Sequence, residues 1–490
     1  MAGFNLLRNA KAFFTTNLTS TADPTVAVTG ASATNTFEIQ VLGGLSFNQS
    51  TNAQNITVNE AGDAPARGQR SFNTSLAPVE FSFSTYVRPS GTTTIDCEEK
   101  VLWNALLNSK AIDLTGTTLT TVGAFTRTAS LSEITFTCTA FNLTTAGIAV
   151  GDTVTISGIL GTDAIEWNQP VEITARAGVD TACTGLTIVY LKAPAGTGTA
   201  PATVPTTFKI HKGAVTQNLA ASPEASYLLA HSGGSNKNQL QAFGMVIAID
   251  DTTYLLDNCA LNQVSVDFGL DGITTLAWTG NATAIRQVAA TTASAGTLTG
   301  GFAGSYTQKN TAAKYITNKL STVTLKSTVR GIGTGAKTYA LALTGGNFTI
   351  SNNINYITPE NLGVVNAPVT YYTGTRAISG SFNAYLKTGA GNQTSTLLSD
   401  MLTASSTSTE PKFSTEIQIG GGSNTVKVEV EMPAVTLQIP TIDAGGDILS
   451  TVINFTSQGF DGTSSTAAAN ATAAYDVENS NDLFIRYYSA

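Results

Sequence analysis

One stretch of the sequence has the residue types of a phosphate-binding loop. Residues 331–338 read GIGTGAKT, close to the G-x-x-x-x-G-K-[ST] pattern, except that Ala336 stands in the place of the last glycine. That pattern needs a following helix, because the helix N-terminus supplies the N–H groups that hold the phosphates. The residues after Thr338 alternate apolar and polar side chains, which predicts a strand. We therefore predict a hairpin turn here and no nucleotide site.

Histidines and aspartates are the other residues that could do chemistry. Neither His211 nor His231 has a cysteine or second histidine at ligand spacing, so we expect a structural or solvent-exposed role, with a catalytic base as the alternative. Aspartates in predicted turns usually bond the backbone, and calcium would need a denser acidic loop. These turn residues are Asp250, Asp251, Asp271, Asp443 and Asp447. The sequence predicts no catalytic residue, no cofactor and no metal site, and we expect no enzyme activity.

Charge is scarce along the chain. Charged residues make up 12% of the 490 residues, and the net charge is −8, whereas soluble domains usually carry about 25%. An acidic chain lacks the cationic surface that binds nucleic acid, although nucleic acid could pass such a surface without adhering. Few charges also leave a surface open to association, so we expect much of it to be buried between subunits. The sequence shows neither a secretory signal nor an apolar run long enough to span a membrane.

The chain contains an internal repeat, which suggests a duplicated domain. Residues 43–87 match residues 345–386: both begin with Gly-Gly, and SFSTYV near the end of the first answers SFNAYL in the second. After each repeat comes an apolar pattern at helical spacing, over residues 97–109 and 394–404. Trp103 lies off the apolar side of the first helix, which leaves core packing or a subunit contact open. The candidate subunit-packing residues on the two helices are Val101, Trp103, Leu106, Leu398 and Met401.

A long polar loop interrupts each copy, at residues 48–75 and 351–374. A loop of this length is usually functional or is ordered by a partner. Two interpretations are open: a solvated loop, or an arm that contacts another subunit and whose charges set the register of that contact. The arm residues named for this contact are Asn59, Glu60, Asp63, Arg67 and Arg70.

The predicted domain organisation follows from the repeat and from what interrupts it. Residues 1–117 and 213–286 form the first domain, and residues 314–490 form the second. Residues 118–212 are an insert of short strands between glycine-rich turns, typical of a small β-barrel or sandwich. Residues 287–313 are predicted to be a linker. The pairs Asp250-Asp251 and Asp271-Gly272 predict hairpins, and residues 482–488 predict a last strand at a subunit edge.

Several stretches together resemble the tail tube (major tail) proteins of long-tailed bacteriophages, in particular the siphophage kind with a duplicated tube domain. They are ITVNEAG at 56–62, ARGQRSFNTSL at 66–76, FSFSTYV at 81–87, LWNAL at 102–106, LLDNCALNQVSVDF at 255–268, TGGNFTISNNINYITPEN at 344–361 and ISGSFNAYL at 378–386. The resemblance implies a mainly β fold. It would comprise two tandem tube domains, each a β-sandwich or split barrel with one flanking helix, plus a small all-β insert.

The resemblance also implies an assembly. Such chains form trimeric, pseudo-hexameric rings that stack into a hollow tube, assembled in the host cytoplasm and carried in the virion. Implied partners are other copies of the chain and the tape measure, tail terminator and distal tail proteins. Viral DNA would pass through the lumen without specific binding, and no membrane would be involved. The alternative is a β-rich fibre or adhesin that binds surface glycans, suggested by the Thr, Asn and Ser content.

Overall fold

A computed structural model gives the fold. It describes residues 9–20, 26–56, 70–90, 96–107, 116–127, 133–159, 167, 170–190, 200–201, 204–212, 215–217, 224–228, 240–270, 272–327, 337–389, 391–407, 413–421, 426–439, 441–443, 448–457 and 483–488. Strands dominate these residues, and each half of the chain has one helix of two turns or more. The predicted mainly β fold is confirmed.

Alternating side chains build the strands that precede the first helix. In the strand from Val79 to Tyr86, the residues Val79, Phe81 and Phe83 are buried while the polar residues between them face away from the core. The elements are β1 Lys11–Thr15, β2 Leu18–Ser20, β3 Val26–Val28, β4 Thr36–Ile39, β5 Ser46–Asn48, β6 Thr51–Ile56, β7 Arg70–Leu76, β8 Val79–Tyr86, β9 Pro89–Ser90, β10 Asp96–Cys97 and α1 Lys100–Leu107.

Strands at residues 117–212 form a sheet of their own. Seven antiparallel strands pair in the order β11-β17-β14-β15-β16-β13-β12, around a separate core that includes Phe125, Phe136 and Trp167. The elements are β11 Thr117–Thr120, β12 Gly123–Arg127, β13 Glu133–Phe141, α2 Leu143–Ala146, β14 Thr153–Ser157, β15 Pro170–Val179, β16 Ala182–Tyr190 and β17 Thr207–Lys212. The insert is thus mainly β in the described residues and also contains the short helix α2, which corrects the expected all-β insert, while its domain boundaries stay a prediction.

The chain then returns to the main sheet. Its next strands are β18 Val215–Gln217, β19 Glu224–Leu228, β20 Phe243–Ile249, β21 Thr252–Asp267, β22 Thr275–Ala282, β23 Ala284–Ala289, β24 Thr291–Ser294, β25 Thr297–Gly300 and β26 Gly304–Ser305. The hairpin predicted at Asp250-Asp251 joins β20 to β21, where Asp250 adopts the left-handed conformation at φ 41°. β21 is one strand of 16 residues, in which a bulge after Leu261 lets the strand continue with new partners.

The second half has the same kinds of elements. They are β27 Thr322–Ser327, β28 Thr338–Ala340, β29 Leu343–Ser351, β30 Ile354–Ile357, β31 Thr370–Thr373, β32 Ala377–Tyr385, α3 Thr394–Thr407, β33 Phe413–Gly420, β34 Lys427–Leu437, β35 Thr441–Asp443, β36 Ser450–Ser457 and β37 Phe484–Tyr488. Both halves contribute to one hydrophobic core, in which Trp278 of the first half and Phe382 of the second are fully buried.

Two expectations from the sequence need correction. The segment 287–313 is folded: β24, β25 and β26 make a small sheet, and Leu298, Phe302 and Tyr306 belong to a buried hydrophobic cluster that also contains Phe13. Its small side chains allow close packing between strands. The segment is therefore a folded part of the protein and is not an extended linker. Each of the two long polar loops contains an antiparallel strand pair, β6 with β7 and β30 with β31, called here the two hairpins, in which cross-strand hydrogen bonds satisfy the polar backbone.

Candidate assembly surfaces

Each half of the chain builds the same unit of four strands. The first unit has the order β5, β8, β22 and the outer part of β21, and the second has β29, β32, β36 and β35. The registers correspond, since Trp278 lies opposite Phe83 just as Ile453 lies opposite Phe382. The sequence repeat is therefore also a repeat of strand pairing.

The two units join edge to edge inside the chain. β21 pairs with β29, from Gln263 opposite Ser351 to Asp267 opposite Asn347. The other side of this part of β21 pairs with β22. The eight strands β5, β8, β22, β21, β29, β32, β36 and β35 thus form one continuous layer, called here the eight-strand band.

The band ends in two edges without a partner strand in the described residues. β5 pairs only with β8, and β35 pairs only with β36. Ser46 faces Ser82 in the first unit as Asn347 faces Ser381 in the second, so β5 corresponds to β29. β35 likewise corresponds to the outer part of β21. The two outer edges therefore correspond to the two strands that pair with each other inside the chain, β21 and β29. Unpaired strand edges promote association.

The two hairpins contact each other and expose apolar residues. The Leu76 N–H group donates to the Asn366 carbonyl oxygen at 2.8 Å, and the Asn366 N–H group donates to the Thr74 carbonyl oxygen at 3.2 Å. The loop between β30 and β31 exposes Leu362 completely and Val364 by 63%. Exposed apolar side chains so close together are typical of an interaction surface.

The predicted arm residues fall mainly outside the described part of the chain. Asn59, Glu60, Asp63 and Arg67 lie in residues 57–69, which are not described, and Arg70 is the first residue of β7. Their role in setting register stays a prediction. Sequence reasoning missed Leu362 and Val364, although the short apolar run LGVV in a polar loop was a usable signal.

The helix residues contribute to the core of the chain itself. Trp103, Leu106 and Met401 are at most 3% exposed, and the Trp103 ring packs edge-on against Trp278 at 5.1 Å. Burial within the chain leaves these three no surface for another subunit, which corrects their predicted role as subunit contacts. Val101 and Leu398 are half-buried, and for them that role stays a prediction.

A buried polar network links helix α1 to the last strand. The Tyr487 hydroxyl donates to a Glu99 carboxylate oxygen at 2.8 Å, and the Trp103 indole N–H donates to the Tyr487 oxygen at 2.7 Å. The Arg88 backbone N–H donates to the same carboxylate at 3.2 Å. β37, predicted at a subunit edge, instead lies between β19 and β34. The network therefore fastens the end of the chain to its first half.

Replacing Glu99 by Gln is expected to flatten the pH dependence of stability. Burial raises the pKa of Glu99 to about 7 from its usual 4.5, although the Tyr487 hydrogen bond opposes this. The folded state therefore holds this proton more tightly than the unfolded chain, a stabilisation present below pH 4.5 that is lost as pH rises through 7. The loss corresponds to about 3 kcal/mol. Chemical denaturation at pH 5 and pH 8 measures it, and an E99Q variant with the wild-type pH profile would contradict the assignment.

The other residues with chemical potential have structural surroundings. After the phosphate-loop-like stretch, Thr338 begins a strand, as predicted, and Lys337 lies 2.6 Å from a carboxylate oxygen of Asp400. His211 belongs to β17, and His231 lies outside the described residues. Within the described ranges, no three potential ligands cluster as a metal site would require. No helix there has the length and apolar character to cross a membrane.

Comparison with known proteins supports a structural subunit. No protein-family model matches the sequence. The chain is 24% identical over 460 residues to tail tube protein pb6 of Escherichia phage T5, an alignment that covers 92% of this chain and 72% of that protein. The resemblance predicted from the sequence is confirmed: the chain is a homologue of a phage tail tube protein. This homology supports a structural role in a phage tail tube.

Proposed function

We propose that this chain polymerises as stacked trimeric rings into a hollow tail tube that conducts viral DNA to the host. The observation that carries the proposal is the edge-to-edge junction of β21 with β29. A second chain can make the same junction, because β35 corresponds to the outer part of β21 and β5 corresponds to β29. Repetition of one contact is how identical subunits close into a ring.

The internal junction predicts the register between chains. Asp267 lies opposite Asn347 inside the chain, and these residues correspond to Asp443 in β35 and Ser46 in β5. Asp443 of one chain is therefore expected opposite Ser46 of the next, with Thr441 opposite Asn48. Closure removes both open edges of the band.

The family resemblance supplies the number of chains, since six units of the tube kind form one ring and each chain holds two. The hairpins, with their exposed apolar loop, are proposed to contact the next ring. We propose the tape measure, terminator and distal tail proteins as partners of the assembled tube. Assembly in the host cytoplasm is part of the same proposal.

A pair of engineered cysteines tests the ring. The double variant S46C with D443C should form disulfide-linked dimers and trimers under oxidising conditions, visible as a ladder on a non-reducing gel. The four native cysteines are buried thiols, so background linkage should be low. Negative-stain microscopy of the same sample should show rings with threefold mass and an open centre.

The matched control is the corresponding pair within one chain, D267C with N347C. It should form an intrachain disulfide and no ladder, which establishes that this register permits the bond. Either single variant should give no trimer. If the control pair links and the test pair stays monomeric in assembled protein, the proposed ring contact is wrong.

A further inference from the structure

The second hairpin, β30 with β31, is held against the first unit of the same chain. Just before the hairpin, the Asn352 N–H group donates to the Asn262 carbonyl oxygen at 2.8 Å. The Ile354 N–H group donates to the side-chain oxygen of Asn262 at 2.9 Å. Further along, the Tyr356 hydroxyl donates to the Asn281 carbonyl oxygen at 2.8 Å. These bonds fasten the hairpin across the junction between the two units.

The strands of the first hairpin, β6 with β7, are not covered in this way by the described part of the chain. Residues 51–55 and 71–74 are all exposed, although successive side chains of a strand point to opposite faces. Phe72 among them is 48% exposed. In β30, by contrast, exposed residues alternate with the half-buried Ile354 and Tyr356. The first hairpin therefore offers a face that its counterpart keeps against a neighbouring unit.

Gln438 is the counterpart of Asn262 in the second unit. The sequence LQIPTID at 437–443 aligns with LNQVSVD at 261–267, and β34 reaches Gln438 beside β36 just as β21 passes Asn262 beside β22. Both side chains end in an amide, but Asn262 is half-buried under the second hairpin, whereas Gln438 is exposed. The Gln438 side-chain oxygen accepts a long hydrogen bond from Asn454 at 3.4 Å, and an amide oxygen can accept a second one.

We infer that the first hairpin of each chain docks on the second unit of the next chain in the ring, and that Gln438 anchors it there. This inference rests on the proposed function. If β5 pairs with β35 of the next chain as β29 pairs with β21, the hairpin after β5 meets the second unit as the hairpin after β29 meets the first. Ala53 corresponds to Ile354 by the same offset that relates Ser46 to Asn347. The Ala53 N–H group is therefore expected to donate to the Gln438 side chain of the next chain.

A cysteine pair tests this docking. The double variant A53C with Q438C should give disulfide-linked dimers and trimers in oxidised, assembled protein, visible as a ladder on a non-reducing gel. Ala53 and Gln438 are exposed, so the pair should leave the fold intact. The matched control is N262C with I354C, which places cysteines at the corresponding positions within one chain. The control should form an intrachain disulfide and no ladder.

A change at Gln438 alone gives a second measurement. Q438A removes the anchoring oxygen and should weaken each contact between chains about 2- to 10-fold, the effect of one hydrogen bond. Q438N keeps a side-chain amide, as at Asn262, and should assemble nearly as the wild type does. Sedimentation velocity over a dilution series measures the concentration at which half of the chains are assembled.

The outcomes separate the hairpin contact from the ring itself. If the S46C and D443C pair links chains while A53C with Q438C stays monomeric, the ring stands and the docking of the first hairpin is wrong. If Q438A assembles at the wild-type concentration, Gln438 is not the anchor. If neither cysteine pair links chains, the proposed function fails and this inference fails with it.

Discussion

A chain that ends before Leu483 is expected to lose its stable fold. Leu483, Ile485 and Tyr487 are at most 1% exposed, and removing a large buried side chain costs about 2–5 kcal/mol. Removing three such side chains would cost about as much free energy as the whole stability of an ordinary domain, about 5–15 kcal/mol. The deletion would also open the edges of β19 and β34, which β37 covers. The measurement is the soluble yield and the melting temperature of the shortened chain.

Two point variants divide this effect into its parts. I485A removes apolar burial alone and should destabilise by about 2–5 kcal/mol. Y487F keeps the ring but leaves Glu99 and Trp103 without their shared partner, which should cost about 1–3 kcal/mol for each buried group. A shortened chain that melts at the wild-type temperature would show that β37 is dispensable, contrary to its burial.

Charging the hairpin loop is expected to abolish ring stacking while leaving the fold and the ring intact. Leu362 is fully exposed and Val364 is 63% exposed, so L362D with V364D costs the single chain little. At a ring-to-ring contact, the same change would bury unpaired carboxylates, which costs several kcal/mol each. Repeated at every contact of a polymer, this penalty should stop elongation. Microscopy should then show single rings where the wild type forms tubes.

The insert provides the matched control, because Val179 at the end of β15 is 57% exposed. V179D makes the same chemical change away from the hairpins and should leave tube length unchanged. The S46C and D443C pair, introduced into the L362D and V364D chain, should still give covalent trimers. Normal tubes from the doubly charged variant would remove the hairpin loop from the stacking contact.

Local patterns in the sequence predict much of the fold. The alternation in residues 79–87 predicts a strand that the structure contains as β8, because side chains alternate between the faces of any strand. The two helices follow from apolar spacing in the same way. The alternation after Thr338 predicts a strand and so excludes a phosphate loop there. These features depend only on residues that lie close together in the sequence, so they can be predicted without knowledge of the tertiary structure.

Such local patterns do not predict which distant strands and side chains contact each other. The sequence predicts a strand near residue 485, but whether it pairs at a subunit edge or between β19 and β34 depends on residues more than 50 positions away. Trp103 looked available for a subunit because it lies off the helical stripe. In the folded chain, Trp278 and Tyr487 cover that side.

The sequence by itself determined the repeat, the β class and the family resemblance, since all three are recorded in residue types and their order. Tertiary structure alone decided which edges are paired and which hairpin is held within the chain. A strand has the same local pattern whether its edge meets a partner or not, because backbone hydrogen-bonding groups are the same in every residue except proline. The junction of β21 with β29, and therefore the proposed register between chains, could be found only where the two units meet in space.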